Sequence, residues 1–135
     1  MTKAIPVETF DCVVFGATGD LTLRKLLPAL YYRFRDGQIP DASRIVGVAR
    51  SPLSDIDFRA RTSAALEQHV APGDLDNALV ARFLACVSYV SLDVLAADAD
   101  WTSLSRRLDP GRVRVFYLAT SPDLYGPVCK ALGSA

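Results

Sequence analysis

One junction near the amino terminus, the stretch DCVVFGATGDLTLRKLLPAL from Asp11 to Leu30, restricts the fold more than any other part of the sequence. Its first residues, together with Phe10, form a short apolar and β-branched run that predicts a buried strand from Phe10 to Gly16. Leucines then recur at helical spacing, which predicts a helix that bends at Pro28, since proline lacks the amide hydrogen. A strand that turns at glycines into a helix is typical of sites that hold a negatively charged group.

Three further strands are predicted from apolar runs, at Arg44–Arg50, Cys86–Val94 and Arg112–Thr120. Helical segments alternate with the strands, which predicts a parallel sheet covered by helices on both faces. Because crossovers are right-handed, we predict an α/β fold with a Rossmann-like doubly wound parallel sheet. Its first strand is central, with the second and third on one side and the fourth on the other. A ligand would lie at the carboxyl ends of the strands, over the first turn.

Cap residues predict where several helices begin. Ser54 and Asp57 form a capping-box pattern that opens a helix through about His69, and Asp74 is predicted to cap a shorter helix through about Phe83. A short helix is predicted in DADWTSLSRRLDPG. The last helix is predicted to begin with two residues, Ser121 as its N-cap and Pro122 in its first turn.

Length and composition indicate one ordinary globular domain. The 135 residues divide into a loose lead-in at 1–9 and one Rossmann-like domain at 10–135. Fifteen basic residues balance fifteen acidic ones, so nothing indicates a nucleic-acid or membrane surface. The three cysteines form no CxxC motif, and no metal site is predicted. Cys12 and Cys86 lie in apolar runs, so we expect buried free thiols, which suit a reducing cytoplasm.

The glycine turn predicts a phosphate site. Gly16 ends the strand where the chain turns sharply, and Gly19 would let a ligand or a neighbouring strand approach the backbone. The free amides at the start of the following helix suit a pyrophosphate, whereas a P-loop is excluded because its Gly-Lys-Ser/Thr end is absent. Thr22 stands where a third small residue is common. Asp20 is expected to stabilise the helix start, and a tight turn without a ligand remains the alternative.

Arg50, at the end of the second strand, points to NADP. Enzymes that use NAD generally carry Asp or Glu near this position, where it binds the ribose 2′-hydroxyl. Here the strand ends VGVARS, without an acid, and Arg50 offers a planar fork that suits a 2′-phosphate. Ser51 and the hydroxyl of Thr18 could add hydrogen bonds. A solvated surface arginine is the alternative interpretation.

These motifs resemble the amino-terminal, NADP-binding part of glucose-6-phosphate dehydrogenases. That family carries a G-A-S/T-G-D-L-A/T turn, then basic residues with K-x-x-P, FRDG and IVG-x-AR, and this chain has GATGDLT, RKLLP, FRDG and IVGVARS. Farther on, SYVSLDV and VFYLATSPDLYGPVCKAL resemble later segments of the same family. The resemblance runs from about residue 10 to the end. Two departures are Leu23, in place of a frequent basic residue, and SP at 121–122 in place of PP.

The resemblance implies oxidation of glucose 6-phosphate to 6-phosphogluconolactone with hydride transfer to NADP+, the first step of the oxidative pentose phosphate pathway. It implies that the glycine turn holds the dinucleotide, that Arg50 and Ser51 hold the 2′-phosphate, that Asp93 and Val94 line the adenosine side, and that Tyr117 lies toward the nicotinamide. The full set of implied cofactor-binding residues is Gly16, Thr18, Gly19, Asp20, Leu21, Arg50, Ser51, Asp93, Val94 and Tyr117.

The resemblance also implies that catalytic groups lie outside these residues. The family's E-K-P lysine and its R-I-D-H-Y-L-G-K segment have no counterpart here, and the one histidine, His69, lies on a helix away from the strand tips. We therefore expect an incomplete nucleotide-binding domain without catalytic residues, inactive alone and able to self-associate, with glucose 6-phosphate bound only by a full-length protein. An atypical short-chain-type NADP-binding redox sensor and a non-binding structural fragment are the alternatives.

Overall fold

The computed structural model of the chain describes residues 9–96, 99–120 and 125–134, with the side chains of 131–134 excepted. One parallel sheet contains the strands β1 (Phe10–Phe15), β2 (Arg44–Ala49), β3 (Val87–Ser91) and β4 (Val113–Leu118). Their order is β3-β2-β1-β4, which confirms the predicted doubly wound arrangement with a central first strand. The register places Gly47 of β2 beside Val14 of β1 and beside Tyr89 of β3.

The described helices are α1 (Leu27–Arg35), α2 (Asp55–His69), α3 (Asn77–Ala85), α4 (Trp101–Ser105) and α5 (Tyr125–Ser134). A π turn over Thr22–Leu26 precedes α1, and the N–H of Leu27 donates to the carbonyl of Thr22, five residues earlier. Pro28 follows directly. Its ring would crowd the carbonyl four residues earlier in a regular α-helix, and a wider turn relieves that crowding. The irregularity that the structure shows is this π turn, just before Pro28, and the bend at Pro28 itself stays a prediction.

Helices cover both faces of the sheet. On one face α1, α2 and α3 bury Tyr31, Phe58 and Phe83 against β1, β2 and β3. On the other face, α4 and α5 contribute Leu104 and Val128 to a second apolar cluster. Both faces of the central strands β1 and β2 are thus largely removed from water, which accounts for their apolar sequences, whereas the residues of β4 are half-buried or exposed.

The capping box at the start of α2 is confirmed. The Ser54 hydroxyl accepts a hydrogen bond from the N–H of Asp57 at 3.1 Å, and the Asp57 carboxylate accepts one from the N–H of Ser54 at 3.4 Å. The helix ends at His69, as predicted. These two bonds satisfy amide groups that the first turn would otherwise leave unpaired.

The predicted N-cap at Asp74 is wrong. Asp76 caps α3, because its Oδ1 accepts the N–H of Leu79 at 2.9 Å. Asp74 lies in a preceding 3₁₀ turn, and its carboxylate instead accepts the hydroxyl proton of Tyr32 at 2.8 Å and pairs with Arg35 at 3.0 Å. Tertiary contacts to α1 therefore engage the first aspartate and leave the second to start the helix.

The third strand is shorter than the predicted Cys86–Val94. It ends at Ser91, and Asp93 lies beyond it, where its carboxylate accepts the N–H of Leu95 at 3.0 Å. An aspartate that bonds the backbone two residues ahead favours a turn over a strand. The predicted helix start at Ser121 and Pro122 lies outside the described residues.

The two edges of the sheet differ. The carbonyl of Cys86 accepts from Ile45 and the N–H of Leu92 donates to Ala49, so the backbone groups of residues 87, 89 and 91 point away from β2. Side chains of α2 occupy two of them: Asp55 accepts the N–H of Tyr89 at 2.8 Å, and Arg59 donates to the carbonyl of Val87 at 2.7 Å. No strand lies beyond β4 in the described sheet.

Buried thiols are confirmed at Cys12 and Cys86, and both are free, as is the exposed Cys129. Burial raises the pKa of the Cys12 thiol to about 12, so it stays protonated and unreactive. Across the described residues, every helix is too short or too polar to cross a membrane.

Candidate functional site

The glycine turn begins where β1 ends, and Gly16 is its most constrained residue. Two features of the structure require a glycine there, its backbone conformation and the lack of space for a side chain. Its φ is +82°, a conformation that strains any residue with a side chain. A Cβ at Gly16 would also lie 2.5 Å from the carbonyl oxygen of Ala119, just after β4. The expected close approach of a neighbouring strand is therefore found at Gly16. Gly19 is exposed, and a Cβ there would meet only the carbonyl oxygen of Gly16, at 3.2 Å.

Thr22 closes the turn. Its hydroxyl donates to the carbonyl oxygen of Gly16 at 2.9 Å, and the N–H of Gly19 donates to the same oxygen at 3.0 Å. Thr22 is fully buried. Thr22, which stands where a third small residue is common, therefore adds a hydrogen bond that fixes the turn. Thr18 lies between the two glycines and is half-buried.

Asp20 lies in the first helical turn, and its carboxylate pairs with Arg24 one turn later at 3.0 Å. Both side chains are more than half exposed, so the pair contributes little to stability. A negative charge at this position still interacts favourably with the helix dipole, as expected from the sequence. The hydrogen bond that closes the turn comes from the Thr22 hydroxyl, whereas the Asp20 carboxylate pairs with Arg24.

The turn is bonded directly to the end of β2. The amides of Gly16 and Ala17 both donate to the carbonyl of Val48, at 2.9 and 3.2 Å. Arg50 follows two residues after Val48, and it is exposed. No carboxylate among the described residues lies within ion-pair distance of its guanidinium. The two features that the sequence singled out, the glycine turn and Arg50, therefore lie at adjacent strand ends, and Arg50 has no acidic partner among the described residues.

Residues of β3 support the Arg50 segment. The hydroxyl of Tyr89 donates to the carbonyl of Ser51 at 2.7 Å, and the hydroxyl of Ser91 donates to the carbonyl of Arg50 at 3.2 Å. The sequence analysis missed both. The signal for Tyr89 was present, because a tyrosine in a buried strand needs a hydrogen-bond partner for its hydroxyl.

Leu21 and Tyr117 lie together beside an apolar cavity of about 310 Å³. Tyr117 belongs to β4, pairs with Val14 of β1, and is half-buried. The stem of Lys25 and the side chain of Leu26 border the same cavity on the helix side. The cavity thus lies between the helical segment that follows the glycine turn and the carboxyl end of β4.

Asp93 and Val94 lie two and three residues past the end of β3. Asp93 is exposed and is engaged in its own turn through the N–H of Leu95, whereas Val94 is half-buried and packs on the second apolar cluster. Their position beyond β3 keeps them at the same end of the sheet as the glycine turn, separated from it by β2. In the described part of the chain, no group of three His, Cys, Asp or Glu residues could hold a metal ion.

A doubly wound parallel sheet with a glycine turn between its first strand and first helix defines the Rossmann-like class of α/β proteins. Residues 13–135 match the family described as glucose-6-phosphate dehydrogenase, NAD binding domain. The chain therefore belongs to the glucose-6-phosphate dehydrogenase family, within its nucleotide-binding domain.

Similar proteins agree with this membership. The chain is 51% identical over 129 residues to the glucose-6-phosphate 1-dehydrogenase of Gluconobacter oxydans, a match that covers 93% of this chain and 26% of that protein. It is 48% identical over 135 residues to the enzyme of Mycolicibacterium smegmatis, covering 96% and 27%. A solved glucose-6-phosphate dehydrogenase in complex with its substrate glucose 6-phosphate superposes with a TM-score of 0.81 at 31% identity, covering 98% and 28%. The chain thus spans about a quarter of the length of these relatives.

Proposed function

We propose that this chain binds NADP+ over the glycine turn and acts within an enzyme that oxidises glucose 6-phosphate at C1 to 6-phosphogluconolactone. The observation that carries the proposal is the exposed Arg50 at the strand end beside the turn, whose guanidinium has no ion-pair partner within the described part of the chain. Bound NADP+ would accept the hydride from the sugar. The residues of the glycine turn and of the neighbouring strand ends would bind and orient that cofactor.

The pyrophosphate would lie over the glycine turn. The helix that begins at Asp20 directs its unpaired amides and the positive end of its dipole at this space. The exposed Gly19 leaves the backbone open to a ligand, and the Thr22 hydroxyl holds the turn in place. The turn is therefore formed before the ligand binds, which lowers the entropy cost of binding.

The 2′-phosphate would lie against Arg50 and Ser51. A guanidinium that pairs with none of the described carboxylates can bind a phosphate with its charge, and its fork can donate two hydrogen bonds. Ser51 is half-buried and Thr18 lies on the adjacent turn. An acidic residue here would repel the phosphate, and the strand end VGVARS contains none.

The two ends of the dinucleotide would then follow the sheet edge in opposite directions. The adenosine would extend past β2 toward Asp93 and Val94, and the nicotinamide would extend toward β4 and Tyr117. Leu21, which borders the same cavity as Tyr117, would contact the cofactor on that side.

A titration of the 135-residue chain with NADP+ and NAD+ tests the proposal. Arg50→Ala should weaken NADP+ binding about ten- to a hundredfold, the loss expected for one charge-assisted hydrogen bond, and change NAD+ binding much less. Arg33→Ala is the matched control, because it removes an exposed arginine near the far end of the same domain's first helix. Equal weakening of both cofactors would assign Arg50 to the fold. No binding of either cofactor would favour a structural fragment.

Catalysis of glucose 6-phosphate oxidation would need groups that these residues do not supply. The chain contains one histidine, His69, which is exposed at the end of α2. We therefore expect the 135-residue polypeptide to bind NADP+ without reducing it when glucose 6-phosphate is added. An absorbance assay on protein freed of host enzyme measures this directly.

We also propose that copies of this chain associate with each other and that the protein is located in the cytoplasm. Arg114, Phe116 and Leu118 direct their backbone groups outward from β4, since Ala119 donates to Phe15 and alternate residues face β1. An open row of this kind pairs readily with another strand, so two copies of the chain would meet there. The free buried thiols of Cys12 and Cys86 suit a reducing compartment.

A further inference from the structure

The segment that carries Arg50 is a short irregular connection between β2 and α2. It begins after Ala49 and ends at Ser54, the N-cap of α2, so only five residues separate the two elements. Neither helix nor strand bonds fix residues 50–53. Two side chains of β3 hold this backbone instead: the Tyr89 hydroxyl at Ser51 and the Ser91 hydroxyl at Arg50.

The Tyr89 ring is itself held rigidly. Its side chain is 2% exposed, and its ring centroid lies 5.1 Å from that of Phe58. Phe58 in turn lies against Gly47, where a Cβ would approach its ring to 2.6 Å. The same Cβ would lie 2.8 Å from the Cβ of Ala17 in the glycine turn. The glycine of IVGVAR therefore lets Phe58 and the turn approach β2 together, and Phe58 then supports Tyr89.

The backbone of Tyr89 is fixed as well. Its N–H donates to Asp55 at 2.8 Å, and Asp55 pairs with Arg107 at 3.1 Å. Burial raises the pKa of the Tyr89 hydroxyl, although the charge of Arg61 opposes this, so the group remains protonated and a donor at neutral pH. Hydrogen bonds thus restrain both the backbone N–H and the hydroxyl of Tyr89, so its side chain is held in one orientation.

We propose that Tyr89, assisted by Ser91, is a positioning residue for cofactor specificity: it holds the backbone of Arg50 and Ser51 so that the Arg50 guanidinium meets the 2′-phosphate. The inference rests on the proposed function. Without these two bonds the connection samples other conformations, and NADP+ binding has to order it again. NAD+ has no 2′-phosphate and does not need Arg50 in place. Tyr89 therefore acts on the preference between the cofactors through Arg50, without touching either of them.

The test is Tyr89→Phe, which keeps the ring and removes only the hydroxyl. NADP+ binding by the 135-residue chain should weaken about three- to tenfold, as for one lost hydrogen bond, while NAD+ binding changes less than twofold. Ser91→Ala should act in the same direction, and the double variant should weaken NADP+ further. Tyr31→Phe is the matched control, since Tyr31 is also buried and its hydroxyl donates to a backbone carbonyl, that of Asp74, at 2.8 Å.

The outcomes separate this inference from the proposed function. Thermal unfolding of each variant shows how much stability is lost, and Tyr31→Phe should lose stability without changing the ratio of NADP+ to NAD+ affinity. If Arg50→Ala abolishes the preference for NADP+ but Tyr89→Phe keeps it, the positioning role is overturned and the proposed function stands. If Arg50→Ala leaves the preference intact, the positioning role is overturned and Arg50 serves the fold, whereas failure of the unmodified chain to bind either cofactor overturns the proposed function.

Discussion

Two residues of the glycine turn have different roles: Gly16 allows the backbone conformation, and Thr22 supplies a hydrogen bond. Gly16 is required because its φ is positive and because Ala119 leaves no room for a side chain. Thr22 contributes a hydroxyl that bonds Gly16 from within the protein, where no water can replace it. A threonine in this position is therefore more than a tolerated substitute for a small residue, and its role differs from that of Arg50.

Thr22→Val should weaken NADP+ and NAD+ binding by similar factors. Valine fills nearly the same volume but cannot donate to the Gly16 carbonyl, so the turn under the pyrophosphate loosens for both cofactors. The free energy of unfolding should fall by about 1 kcal/mol, because one hydrogen bond is lost while the Gly16 carbonyl still accepts the N–H of Gly19. Denaturant unfolding and paired titrations measure the two effects.

Thr22→Ser is the control for that experiment, since it keeps the hydroxyl and removes only a methyl group. It should retain most of the affinity for both cofactors. A valine variant that loses NADP+ selectively would show that Thr22 acts on the 2′-phosphate side, contrary to the geometry of the turn.

At the scale of elements, the start of α3 shows how tertiary contacts decide between two similar sequence signals. Asp74 and Asp76 both precede the helix, and both are residue types that cap helices well. Asp74 is occupied by Tyr32 and Arg35 of α1, whereas the Asp76 carboxylate is free to accept the N–H of Leu79. The choice depends on α1, which a local pattern does not contain.

Asp76→Ala should lower the free energy of unfolding by about 1 kcal/mol through loss of the N-cap of α3. Asp76→Asn should recover most of that loss, because asparagine also caps well. Chemical denaturation of the three proteins provides the comparison. An alanine variant as stable as the asparagine variant would mean that the cap does not stabilise this helix.

The sequence pattern predicted the strands of the sheet well and their ends less well. β1, β2 and β4 fall within the predicted runs, because β-branched apolar residues in series have few other uses in a small domain. The predicted β3 is too long, since SLDV continues the apolar run while the Asp93 carboxylate accepts the N–H of Leu95 in a turn. Turn chemistry of this kind competes with strand pairing, and composition alone does not rank the two.

The candidate site was predicted as single positions and not as a connected structure. Gly16 and Arg50 stood out because each breaks the pattern of its element, one as a turn residue and the other as a charge at a strand end. Tyr89 and Phe58 did not, since aromatic residues in buried elements are usual in any core. Their connection through Gly47 exists only in the folded chain, where β2 brings all of them together.

At the scale of the whole molecule, the sheet has one closed edge and one open edge. Asp55 and Arg59 bind two of the outer backbone groups of β3, the N–H of Tyr89 and the carbonyl of Val87, which hinders pairing with another strand. The outer groups of β4 have no such cover within the described residues. Association between copies of this chain should therefore use β4 alone and stop at pairs.

Arg114→Pro tests this expectation. Arg114 is exposed, and its N–H points away from β1, so proline there removes an outward donor and leaves the bonds to β1 in place. In sedimentation experiments the unmodified chain should form dimers and Arg114→Pro should be monomeric, whereas Arg114→Ala, which keeps the N–H, should still dimerise.

The carbonyl of Ala119, just after β4, lies against Gly16, so a change in the position of β4 would also shift the glycine turn. A chain extended through the next segment of its relatives should for that reason bind NADP+ more tightly and remain free of β4 pairing. A monomeric 135-residue chain with the affinity of the extended one would contradict both the open edge and its connection to the turn.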